Sequence, residues 1–318
     1  MKTVKIGLIQ MTNPASLQVD YAHPTSLVEQ AVRQGAELVV FPETCPCGYI
    51  PNQRAWQLAE PREGPTVDWA SALAQEHQIT IGAGFVEYDG VDFFNTFFLV
   101  DETGVLGFVR KRTAESYCYK SADSPPSLIA TRHGKVAVGI CADNHMTPFL
   151  QGLMGMSPDI MLMPHARATP HRVSQSVSQK DVEAARQQVI DFPILYSKVL
   201  GIPTVFTNPV GEMEVMTGLL GKFMSPEAFR LQGGSLVVAA DGSIIESLGD
   251  REDIAVVEVE LTRQEPAAVP KDFGGWLHEG NPVVRKIMLP FDIWQGQRVY
   301  NANKKKFNPA TLRSRPPV

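Results

Sequence analysis

The chain has little of what would mark several functional classes. Four cysteines in 318 residues are too few and too irregularly placed for a disulfide framework, so a reducing, cytoplasmic setting is expected. The seven histidines form no H-x-x-x-H or comparable pair, and the lone Cys45-Pro46-Cys47 lacks further ligands at metal-site spacing. No metal and no cofactor is therefore expected. No apolar run reaches the length of a membrane span, no internal repeat is evident, and no composition break marks an interdomain linker. The net charge is −5 and the body of the chain carries no basic stripe, which argues against nucleic acid as the partner. The one dense basic stretch, Lys304-Lys305-Lys306 with Arg313 and Arg315 beyond it, reads as a solvated tail.

What is present is an ordinary globular balance. Hydrophobic residues make up 44% and charged residues 20%, enough apolar material for one large core. The opening MKTVKIGLIQMT reads as a first β-strand, since its apolar stretch is short and runs straight into Gln10 and Thr12 with no small-residue cleavage pattern. Strands are predicted over 4–10, 37–41, 79–85, 93–100, 105–110, 135–140, 159–163 and 203–207, and helices over 24–34, 66–77, 148–156 and 180–200. Later, 234–239 and 243–247 flank Ala240-Asp241-Gly242, a hairpin signal, and 254–261 adds a strand. From Thr262 onward prolines and charges increase and periodicity fades, which reads as an extended carboxyl-terminal arm. The alternation predicts an α/β fold with mixed sheets packed face to face and helices outside.

Three apolar strands end on chemically capable residues. LVVFPETCPCGY places Glu43 just past Phe41-Pro42, GFVRKRTAESYCYKSAD places Lys111 and Glu115, and VAVGICADNH places Cys141. Free cysteine usually packs as a small buried hydrophobe. A cysteine at the carboxyl end of a strand in a layered α/β fold is also where loops present reactive groups to a crevice. Both readings remain open on the residues alone.

The ordered set F-P-E, R-K and G-I-C-A-D, followed by NPVGE from Asn208 and GGSLVVAADGSII from Gly233, resembles the nitrilase (carbon–nitrogen hydrolase) superfamily across nearly all of residues 4 to 261. The resemblance implies a four-layer α-β-β-α sandwich with an extended C-terminal arm. Residues 1–261 would form the hydrolase domain. Residues 262–318 would form an arm that belongs to the same domain or packs on a neighbouring subunit of a homo-oligomer built from dimers. It also implies a Glu43, Lys111 and Cys141 triad. A thiol has a reference pKa of about 8.5 and a glutamate about 4.3, so direct proton transfer is uphill by roughly 5 to 6 kcal/mol. Burial of Glu43 would raise its pKa and the Lys111 ammonium would stabilise the thiolate, narrowing that gap from both sides.

The same resemblance assigns Glu115 as an auxiliary glutamate that positions lysine and substrate, and the Ala142 backbone N–H as an oxyanion donor beside Lys111. Tyr49, on the loop after the base, and His165, after a later strand, are implied to border the pocket. Arg167 is a candidate for pairing with a substrate carboxylate. His145 reads as a loop or interface histidine. The activity implied is hydrolysis of a small amide or N-carbamoyl substrate through a thioester, with nitrile hydrolysis as the alternative. Asp143 points toward amidases and carbamoylases, whereas C-A-D-N-H-M partly resembles the run of nitrile-cleaving members. A non-catalytic binding protein of the same fold is the alternative of another class.

Overall fold

The computed structural model describes residues 2–308 apart from Ala15, Gln175 and Ser176. Strand β1 (Thr3–Gln10) leads through helix α1 (Ala22–Arg33) to β2 (Leu38–Val40), and helix α2 (Pro65–His77) leads to β3 (Thr80–Tyr88). Strands β4 (Phe93–Asp101) and β5 (Gly104–Arg110) follow as an antiparallel meander. The second half runs through β6 (Leu128–Thr131), β7 (Gly134–Val138), helix α3 (Thr147–Met154), β8 (Ile160–Pro164) and β9 (Ala168–Pro170). The long helix α4 (Gln179–Leu200) then precedes β10 (Thr204–Thr207), β11 (Val210–Gly211), the short α5 (Leu219–Phe223) and β12 (Phe229–Gln232). Strands β13 (Leu236–Val238), β14 (Ile244–Ser247) and β15 (Asp253–Glu260) come before a last helix, α6 (Leu289–Lys304).

Two six-stranded sheets result, ordered β15-β1-β2-β3-β4-β5 and β14-β13-β10-β8-β7-β6. Their layering follows from where the apolar side chains go. Ile6, Leu8, Val40 and Leu99 of the first sheet meet Val136, Val138, Leu162 and Val205 of the second in one buried cluster between them. The outer face of the first sheet is covered by Leu27 and Val28 of α1 and Val67 and Leu73 of α2. The outer face of the second is covered by Leu150 of α3 and Phe192 and Val199 of α4. Helix, sheet, sheet, helix is therefore the order of layers. A sheet buried on both faces reads as a near-continuous apolar run, which is why LVV, IMLM and TVFT were legible as strands.

Strand direction sets the location of the site. In the first sheet β1, β2 and β3 are parallel, and two antiparallel steps through β4 return β5 to the same direction. In the second sheet β7, β8 and β10 are parallel. The carboxyl ends of the two sets are tied together, because the Glu43 N–H donates to His165 O at 3.1 Å and Thr207 Oγ1 donates to Phe41 O at 3.0 Å. Residues following β2, β5, β7 and β8 thus converge at one place.

The extended arm expected beyond Thr262 is corrected in part, since its residues Leu289–Lys304 form the sixteen-residue helix α6. Its docked face carries Asp292, Gly296 and Tyr300, while Phe291, Ile293 and Trp294 are exposed. The apolar stripe that announces a packed helix is therefore missing from the inward side. Asp292 accepts hydrogen bonds from the N–H groups of Leu219 and Leu220, each at 2.8 Å, and Tyr300 O–H donates to Asp92 at 2.9 Å. The basic stretch is corrected too. Lys304 is paired with Asp92, whereas Lys305 and Lys306 are exposed and Arg313 and Arg315 lie outside the described residues. Among the described residues no helix is long and apolar enough to cross a membrane.

Candidate active site

Glu43 lies in the loop after β2 and is wholly buried. That loop can sit close over the sheet because β3 carries Gly84 there; a Cβ at Gly84 would stand 2.6 Å from the Thr44 nitrogen. One carboxylate oxygen, Oε1, accepts from Lys111 Nζ at 2.6 Å and from Asn95 Nδ2 at 2.7 Å. The other, Oε2, is buried with no hydrogen-bond partner among the described residues. Burial pushes the Glu43 pKa up, against the pull of Lys111.

Lys111 follows β5 directly and is also fully buried. Besides Glu43, its ammonium donates to Glu115 Oε1 at 2.7 Å. Burial alone would strip its charge, but the carboxylates of Glu115 and Glu43 outweigh it and hold the pKa well above the ordinary value. An ammonium has three donors, and the third has no hydrogen-bond partner among the described residues. Glu115 also accepts from the Tyr49 hydroxyl at 2.9 Å, so Tyr49, Glu115, Lys111 and Glu43 form one connected chain.

Cys141 opens a 3-10 turn, Cys141–His145, at the end of the β7 segment. Its φ of 45° lies in the left-handed region, a conformation that costs a non-glycine residue about 1–3 kcal/mol and is concentrated at functional sites. The turn is held from both sides. Asn144 Nδ2 donates to Gly139 O at 2.7 Å, and any Cβ at position 139 would collide with the same Asn144 side chain. Asp143 is buried and accepts from the N–H groups of Arg112, Thr113 and Ile140. Burial raises its pKa to about 6, with Lys111 and these N–H donors pulling the other way.

Asp143 thus pins the segment that carries Lys111 to the turn that carries Cys141. An amide at this position supplies one acceptor oxygen and presents an NH2 group to backbone donors. Asp143→Asn is therefore expected to lower kcat by about 10²-fold through misplacement of the reacting groups, with KM changed little. Steady-state kinetics beside a thermal melt would check this, and an unchanged kcat in a folded variant would remove Asp143 from the positioning frame.

The thiol departs from the sequence expectation. Its pKa is raised, first by burial and then by the Glu43 charge, and these outweigh Lys111 and the Ala166 backbone N–H that favour the thiolate. The gap between Glu43 and Cys141 is narrowed only from the glutamate side, and the thiol rests neutral.

The remaining sequence candidates divide. Ala142 is the residue after Cys141 in the turn, and both are partly exposed. His165 is buried; its N–H donates to Thr207 O at 2.8 Å and its ring lies against Phe206. Its Nδ1 faces Met163 O at 2.9 Å, and a carbonyl only accepts, so Nδ1 carries the proton. Burial depresses the His165 pKa to about 3, and the ring is neutral. Arg167 is partly exposed. Its N–H donates to Asn208 Oδ1 at 2.8 Å and its guanidinium to Gln188 Oε1 at 2.6 Å. His145 packs on Phe192, with ring centroids 4.3 Å apart, and contacts His278 of the arm.

Two contributors, Asn95 and Ala166, escaped the sequence reading, and Asp143 and Asn208 were read only as parts of motifs, not for their positioning roles. Asn95 had a usable signal, since FFNTFFLV places an asparagine within an otherwise apolar strand. Ala166 acts through its backbone and had none.

A family model described as carbon-nitrogen hydrolase matches residues 5–268. A nitrilase from Pyrococcus abyssi is 29% identical over 188 residues, which cover 54% of this chain and 71% of the relative. An (R)-stereoselective amidase from Pseudomonas sp is 23% identical over 277 residues, covering 85% and 90% respectively. Among solved structures, the carbon-nitrogen hydrolase from Helicobacter pylori G27 superposes with a TM-score of 0.72 at 22% identity, over 82% of this chain and 90% of that one.

Proposed function

The chain belongs to the carbon-nitrogen hydrolase family, and from that membership we propose that it hydrolyses a small amide or N-carbamoyl compound through a thioester on Cys141. The observation that carries this reading is the divided carboxylate of Glu43. Lys111 and Asn95 occupy one oxygen, and the other is buried without a partner among the described residues. A general base needs such a free lone pair in a fixed position.

On this reading Oε2 of Glu43 takes the Cys141 proton as sulfur attacks the carbonyl carbon. The oxyanion is held by the remaining Lys111 donor and the Ala142 N–H. Collapse breaks the C–N bond while protonated Glu43 returns its proton to the departing nitrogen. Water then gives a proton to Glu43, attacks the thioester and frees the acid and the thiol. Glu115 and Tyr49 position Lys111, and His165, through its carbonyl on the Glu43 N–H, supports the base from behind.

A second reading, hydrolysis of a nitrile to an acid and ammonia, is favoured by the relative from Pyrococcus abyssi that bears the name nitrilase. A binding protein without activity has no use for a base with a free lone pair beside a thiol. Ammonia release from aliphatic amides, N-carbamoyl amino acids and nitriles, with intact-mass detection of the acylated protein after rapid acid quench, would test the proposal. An acyl mass on the protein with amides identifies the first reading, and turnover of nitriles alone the second. Absence of both ammonia and adduct across the panel would refute it.

Glu43→Gln keeps an oxygen for Lys111 and Asn95 but has no base. It is expected to lower kcat/KM about 10³-fold. In the wild type, kcat/KM should fall as acid protonates Glu43, and because burial raises that pKa the fall should come above the ordinary glutamate range. A pH profile of kcat/KM in which Glu43→Gln keeps the same acid limb would assign that limb to another group.

A further inference from the structure

One cation at the site has no counter-ion among the described residues. Among the described residues Arg167 takes part in no salt bridge, although twelve ion pairs are formed elsewhere. Its position is nevertheless built. The backbone is fixed by Asn208 from the end of β10, and one guanidinium nitrogen is fixed by Gln188 of α4. The ring of Phe192 lies 5.8 Å from the guanidinium carbon. The Cys141 sulfur is near enough that a thiolate formed there would act on the guanidinium, and burial otherwise lowers the Arg167 pKa to about 10, leaving it cationic at neutral pH.

Its neighbours offer no compensation. Burial and Arg167 itself depress His145, and the same two causes act on His278, whose pKa falls to about 4. Both imidazoles are therefore neutral walls. Glu43 and Glu115 are already engaged by Lys111, and Asp143 faces three backbone N–H groups. A partly buried guanidinium without an anion gains from a ligand that supplies one, and its planar fork suits a carboxylate.

We propose that Arg167 is the specificity-determining residue of an anion subsite, and that the substrate carries a carboxylate which pairs with it while the scissile carbon meets Cys141. The inference rests on the hydrolase reading and narrows its substrate to acid-bearing amides or N-carbamoyl compounds. Gln188 and Asn208 act through Arg167 as positioning residues.

The test compares two probes of similar length, succinamate and butanamide, which differ in the carboxylate. The wild type should favour succinamate about 100-fold in kcat/KM, and Arg167→Gln should bring that ratio below about tenfold, chiefly through KM for succinamate. Arg167→Lys, keeping the charge without the fork, should give an intermediate ratio. Calorimetry on Cys141→Ala should show succinamate binding that is lost in Cys141→Ala/Arg167→Gln, with melting curves confirming that both are folded.

Equal turnover of the two probes by the wild type, or a ratio unchanged in Arg167→Gln, would overturn the subsite while leaving the hydrolase intact. An arginine that only aids the thiolate would give that second result, since both probes would slow alike. Arg167-dependent binding of succinamate without ammonia release by the wild type would uphold the subsite and count against hydrolysis. Neither turnover nor binding of succinamate would overturn the subsite.

Discussion

Cys141→Ala is expected to slow ammonia release about a million-fold, the scale on which loss of a nucleophile acts when base and oxyanion donors remain. The same variant should keep its fold. Alanine tolerates the left-handed φ of 45° no worse than cysteine does, and it removes a thiol whose charged form the site disfavours. The hydrogen bonds that shape the turn come from Asp143 and Asn144 rather than from sulfur. Release measured at saturating amide, beside a melting curve, separates the two effects. A folded Cys141→Ala protein that retained more than about a thousandth of wild-type release would exclude the thioester route and leave Glu43 acting directly on water.

Cys141 was legible as a candidate because the apolar run before it ends abruptly and polar residues follow. Glu43 and Lys111 were legible for the same reason, each standing just past an apolar strand. The sheet order makes sense of this. Parallel central strands and one returned antiparallel strand bring three separate strand ends to one place, so a pattern local in sequence became a cluster in space. The residues that set the cluster's geometry were less visible. Asp143 acts through three backbone donors, and Ala166 through its own N–H, neither of which leaves a periodic trace. Helix α6 was hidden because its packed face uses Asp292, Gly296 and Tyr300 and leaves its large apolar residues outside.

The direction of the thiol pKa was hidden for a different reason. Lys111 was expected to hold the thiolate, and it does favour it, but Glu115 and Glu43 hold that ammonium at 2.7 and 2.6 Å. A cation already engaged by two carboxylates has little field left for a third partner. Only the spacing of all four groups reveals that balance. It also implies that proton transfer to Glu43 accompanies attack, since a free thiolate beside the Glu43 charge is disfavoured.

Removing the ammonium should therefore do more damage than removing the base. Lys111→Met leaves buried Glu43 near the partly exposed Glu115 with no cation between them. Breaking one side of a buried pair typically costs about 3–5 kcal/mol, which for a chain of this length is a fall in Tm of roughly 5–8 °C. Activity should fall about 10⁴-fold. One part is the lost oxyanion donor, about 10²–10³-fold, and the rest arises because like-charge repulsion raises Glu43 further and protonates the base. The pH dependence has a definite sign. A carboxylate whose pKa is higher folded than unfolded binds protons more readily when folded, so the deficit is largest at neutral and alkaline pH. It should shrink as pH falls toward the unfolded carboxylate range. Urea unfolding of wild type and Lys111→Met at pH 7.5 and 5.5 reads this directly. A stability difference that is constant between the two pH values would mean that Lys111 contributes packing rather than charge. In that case the pairing of Glu43 with Lys111 could not be what keeps the base ionised.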